Sequence, residues 1–118
     1  MATFNTIQTE FAADGTRNID MWAVGAAGRA TMHSLTVVGS GAVTGTLNIF
    51  RGRKITVGTT ETIYYDTTAA ATISVTGTNL ASESESFEVA GCEYWSGVLS
   101  GLSGSSNAYW AICYADRP

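Results

Sequence analysis

The sequence predicts an all-β protein: one domain over residues 1–118, folded as a single antiparallel β-sandwich that is jelly-roll-like. Three observations carry that expectation. Apolar and polar residues alternate with a period of two in several short runs, such as Thr72-Ile73-Ser74-Val75-Thr76 and Thr46-Leu47-Asn48-Ile49, which puts one face of each run in a core and leaves the other outside it. Gly, Asp, Asn and Ser punctuate the chain at the short intervals of sandwich and barrel turns. No stretch holds a helix of ordinary length, because the best candidate, 23–32, is interrupted by Gly25 and Gly28.

Taken in order, residues 3–12 mix Phe, Ile and Thr and form the first strand, ended by Asp14-Gly15. Residues 18–24 follow, and then 31–38, where Met32, Ser34 and Thr36 alternate with His33, Leu35 and Val37. Gly39-Ser40-Gly41 breaks the chain before 44–50. Arg51-Gly52 reads as the next break, followed by strands at 53–57 and 61–65 on either side of Gly58. The β-branched run 70–76 stops at the turn Gly77 to Asn79. The last three strands are 84–90, 93–99 and 108–115. No linker, charge block or repeat divides the chain.

Composition narrows the function classes. Gly, Ala, Ser and Thr make up about half the chain, charged residues only 14%, and the formal charge is −4. Phosphate binding needs a basic field, so no nucleic-acid partner is expected. No run of 18 apolar residues is present, so no membrane partner is expected either. The opening MATFNTIQTE has neither a charged n-region nor an apolar h-region, which predicts synthesis without export. Cys92 and Cys113 are then expected to stay reduced. A surface this poor in charge suits a protein packed against neighbours.

The residues of common catalytic and metal sites are sparse, so no enzyme, catalytic residue, cofactor or metal is expected. The single histidine is His33, and Gly101-Leu102-Ser103-Gly104 falls one residue short of a nucleophile elbow and reads as a flexible loop. Two cysteines and one distant histidine do not make a zinc site, and Asp14 and Asp20 are too few for calcium.

Half of the basic residues sit in Arg51-Gly52-Arg53-Lys54. This segment reads either as a solvated hairpin turn or as a docking tip for an acidic neighbour. Opposite in sign is Ser82-Glu83-Ser84-Glu85-Ser86-Phe87-Glu88, where a strand puts Glu83, Glu85 and Phe87 on one face. The carboxylates would lie at the rim, discouraging edge-to-edge pairing or answering the basic patch of another subunit.

Tyr-Trp occurs twice, at Tyr94-Trp95 and Tyr109-Trp110, with a Gly- and Ser-rich segment between. A hairpin centred between Leu102 and Ser103 would set Trp95 opposite Trp110 and Cys92 opposite Cys113. In either strand, each step sends one large ring to each face. One face then remains a candidate contact surface: a protein interface, a carbohydrate platform, or a face covered by loops of the same chain. The candidate interface residues are therefore Tyr94, Trp95, Tyr109, Trp110, Arg51, Arg53 and Lys54.

The strand-and-turn texture of GSGAVTGTLNIF and TTAAATISVTGTN, the start MATFNT and the scarcity of Lys and Pro resemble the small all-β virion proteins of tailed bacteriophages, in particular capsid decoration (cement) proteins. The resemblance implies a structural protein made in the host cytoplasm and placed on the capsid surface. Its partner would be the major capsid protein, and it would be a homo-oligomer, with a trimer favoured. The alternative is a tail, fibre or head-fibre module that binds host glycans through Trp and Tyr; a hydrolase built on His33 is the further one. Residues 1–7 and 115–118 are candidate arms to a neighbour.

Overall fold

The computed structural model describes residues 4–26, 29–87 and 93–115. Among them are nine strands and no helix: β1 Phe4–Phe11, β2 Gly15–Asp20, β3 Thr31–Val38, β4 Val43–Val57, β5 Thr60–Tyr65, β6 Ala71–Gly77, β7 Ala81–Phe87, β8 Tyr94–Ser100 and β9 Asn107–Ala115. β3 occupies the span that its alternation marks out. β2 lies earlier than expected because Asp20 ends it. Its carboxylate accepts the N–H groups of Trp22 (2.9 Å) and Ala23 (3.3 Å), turning the chain.

Two antiparallel sheets pack together. One has the order β1-β9-β3-β7 and the other β2-β8-β4, with β6 and β5 paired in succession along the far side of β4. With β5 set aside, the orders β1-β9-β3-β7 and β2-β8-β4-β6 are the winding of a jelly roll. β5 is an addition to that plan.

This winding overturns the expected hairpin of the two Tyr-Trp segments. β8 pairs with β2 and β4, whereas β9 pairs with β1 and β3 in the other sheet. The connection 101–106 crosses between sheets, and it is tied down. Asp14 accepts the N–H groups of Gly101 and Leu102, while the N–H of Ser103 donates to the Thr44 carbonyl. Trp95 therefore pairs with Ile19 and Arg51, and Trp110 with Thr9 and Leu35. Cys113 lies half-buried in β9, and Cys92 falls outside the described residues. The expected N-terminal arm is in part a strand, since Phe4 to Ile7 pair with Ala115 to Ile112; residues 1–3 and 116–118 are outside the described residues.

The core forms where the two inward faces meet. Val43, Leu47 and Ile49 of β4, Ile73 and Val75 of β6 and Leu99 of β8 face Phe11, Leu35, Val37, Trp110 and Ile112. Gly97 is part of this fit. A Cβ there would lie 2.6 Å from the Trp110 ring, so the indole occupies the space that a side chain would need.

Candidate interaction surface

Each Tyr-Trp step does send one ring to each face, and the tryptophans take the inner one. Trp95 is 2% exposed and Trp110 is fully buried. Between them lies His33, edge-on to Trp95 at 4.6 Å and to Phe87 at 4.8 Å. The Trp110 indole N–H donates to His33 Nδ1 at 3.0 Å, and His33 Nε2 lies 2.8 Å from Thr31 Oγ1. Because Nδ1 accepts, the neutral ring carries its proton on Nε2 and donates to the threonine hydroxyl. Burial pushes the His33 pKa down to about 3. The ring is a polar strut inside the core, fully buried, so a hydrolase built on it has no open cleft. A sugar platform on Trp95 and Trp110 likewise has no exposed ring face.

The tyrosines lie on the outer faces of different sheets. Tyr109, in β9, is half-buried between Glu10 and Thr36. Tyr94, in β8, is 2% exposed and lies between Asp20 and Gly52. Tyr65 reaches across to it over the bare backbone of Gly52, where a Cβ would meet the Tyr65 ring at 2.6 Å and the Tyr94 Cβ at 2.9 Å. Gly52 is thus a space for a ring and not the expected turn, which is why β4 continues unbroken. Lys54 closes the cluster. Its hydrogen bond to Tyr94, assisted by the charge of Glu61, pushes its pKa up. Burial, with the nearby Asp20 and Tyr94, pushes the Tyr65 hydroxyl up as well.

Past this cluster β4 leaves the sandwich. β8 pairs with β4 no further than Gly52, and from there β4 has β5 alone. The turn between them is Gly58-Thr59, with Gly58 at φ 64°, a left-handed position suited to glycine at the first corner of a two-residue hairpin. The result is a two-stranded arm reaching about 17 Å beyond the sheet, at about 3.3 Å per residue. Arg53 and Lys54 lie on it and not at a turn. Arg53 pairs with Asp66 at 2.7 Å and Lys54 with Glu61 at 3.6 Å, all four substantially exposed. Arg51 stays at the root, half-buried, with its guanidinium 6.0 Å from the Phe87 ring.

The arm carries exposed apolar side chains: Val57 at 71%, Tyr64 at 51%, Ile55 at 41% and Ile63 at 37%. By the strand alternation and the pairing register, Ile55, Val57 and Tyr64 share the face that continues the core side of β4. Trp22 and Val24 are exposed in the turn after β2, and Met32 near the start of β3, at the same end of the sandwich. Seven of the eight large exposed apolar side chains among the described residues thus gather at one end; Leu80 is the eighth. An apolar concentration of this kind marks a contact surface. Local pattern identifies these residues as strand or turn and carries no sign of their exposure.

No protein-family model matches the chain, and no curated protein matches it. Among the described residues, no three His, Cys, Asp or Glu side chains converge as metal ligands would. Fold and surface together define a class: a jelly-roll β-sandwich bearing an apolar hairpin arm.

Proposed function

We propose that the chain is a non-enzymatic virion structural protein, a decoration subunit that binds the outside of a phage capsid lattice and stabilises it through protein–protein contacts. The observation that carries this reading is the uncovered continuation of β4. A two-stranded hairpin alone is marginal in water, and this one presents a face patterned for burial beyond the reach of its own second sheet. The major capsid protein is the lattice partner, and Trp22 and Val24 beside the arm extend the footprint. Jelly rolls serve in viral capsids and in lectins alike. The burial of Trp95 and Trp110 favours the protein partner, because the rings nominated for sugar stacking are interior.

The test is co-sedimentation with assembled shells of a tailed-phage major capsid protein. Binding is expected to saturate at a fixed copy number per shell and to raise the temperature at which shells come apart. Trp22→Asp combined with Val57→Asp should abolish both effects while leaving the protein folded. No association with shells of any maturation state would sink the proposal.

A further inference from the structure

We infer that the arm of one molecule is seated along the free edge of β7 in a second copy of the same chain. This rests on the reading of the arm as a contact surface: it gives the arm to a second copy and leaves the exposed Trp22, Val24 and Met32 beside it to the lattice partner. β7 is the last strand of its sheet and pairs only with β3. Its other edge offers unpaired backbone N–H and C=O groups, a ready template for strand addition. The arm is the matching element, since the outer edge of β5 and the β8-side edge of β4 beyond Gly52 are both open.

Charge points to the same pairing. Glu83 and Glu85 are exposed on β7, opposite Leu35 and His33, and neither has an ion-pair partner among the described residues. They line a groove of about 200 Å³ between the sheets, together with Thr72, Ile73 and Ser74. In a chain of net charge −4, three of the six basic residues belong to Arg51, Arg53 and Lys54. The arm's own ion pairs are exposed and therefore weak, so Arg53, on the same face as Ile55 and Val57, can exchange Asp66 for the partner's carboxylates, while Lys54 keeps its hydrogen bond to Tyr94 on the other face. With the arm added beyond β7, Ile55 and Val57 close over the mouth of that groove, above the already buried Ile73. Opposite charges then set the register, while backbone pairing and the removal of the arm's exposed Ile55 and Val57 from water supply the affinity. The donor and acceptor patches are different surfaces of one chain, so the contact forms a ring where its rotation closes, a reciprocal pair where two arms exchange, and an open chain otherwise.

The experiment is molar mass by light scattering at low and high salt, with far-UV circular dichroism to confirm folding. Wild type should be a multimer whose mass falls with added salt. Arg53→Glu and, separately, Glu83→Lys/Glu85→Lys should each be monomeric, and an equimolar mixture of the two should regain the multimer. A monomeric wild type, or a multimer indifferent to both charge reversals, would overturn the inference. A monomer that still binds shells through its arm would overturn this inference alone. A charge-dependent multimer that ignores shells would uphold it and sink the capsid reading.

Discussion

The two halves of β4 obey one pattern and meet opposite fates. From Val43 to Ile49 the odd-numbered residues are fully buried, whereas Arg53, Ile55 and Val57 continue the same alternation into solvent. Ile55 and Val57 repeat the alternation of Leu47 and Ile49, although the second half opens on Arg51, Arg53 and Lys54. What differs is what lies across from them. The first half faces Leu35, Val37 and Trp110 of the opposite sheet, and the second half has passed beyond it. Alternation therefore specifies which face is to be buried, and only topology decides whether the same molecule buries it.

The largest effect expected from this contrast comes from breaking the covered half. Trp110→Ala removes the ring that fills the space over Gly97 and leaves His33 Nδ1 without its donor. It should cost about 3–5 kcal/mol and is expected to leave little folded protein, as measured by chemical denaturation. Val57→Asp in the uncovered half should shift the denaturation midpoint hardly at all while removing association. If Val57→Asp unfolds the protein as Trp110→Ala does, the arm belongs to the core and the contrast is wrong.

Acid sharpens the comparison next. The folded core keeps His33 neutral down to about pH 3, whereas the unfolded chain takes up its proton near 6.5. The unfolded state thus binds more protons between those values, and stability falls as pH drops through the window. The expected slope approaches about 1.4 kcal/mol per pH unit. Between pH 6.5 and 5 most carboxylates remain ionised, so the slope there should belong to the histidine. His33→Gln should lower stability at pH 7 and flatten that slope, and an unchanged slope would show that another group is responsible.

The distance over which each determinant acts explains what could be read in advance. β3 was legible because Leu35, Val37 and their polar neighbours alternate over the whole strand and nothing interrupts them. The arm's two strands and its turn were legible from a different signal, β-branched and aromatic runs on either side of Gly58. Gly52 was misleading, because a turn glycine and one that makes room for Tyr65 look the same in the chain. The sheet partner of β8 was equally hidden. Trp95 and Trp110 fit a cross-strand pair as well as they fit opposite walls of a core, and only the crossing at 101–106 separates the two. Asp14 and Asp20, too sparse for a calcium site, act as acceptors for backbone N–H groups, a role that depends on where the chain turns.

The smallest effect tests the joint between the two halves. At Gly52 a methyl group would press on the Tyr65 ring at 2.6 Å and on the Tyr94 Cβ at 2.9 Å. Tyr94 is held in a buried strand, so Tyr65, half-buried at the root of the exposed arm, is the group that gives way. Gly52→Ala should then cost about 1–3 kcal/mol at most, since part of the overpacking relaxes into the arm. Its greater consequence is directional, because turning Tyr65 aside re-aims β5 and with it Ile55 and Val57. Association should weaken more than stability does, and adding Tyr65→Ala should restore only part of the stability, since the Tyr94 Cβ contact remains, without restoring association. If the double variant also recovers full association, the aim of the arm is not set at Gly52. The arm would then take its direction from the partner that receives it.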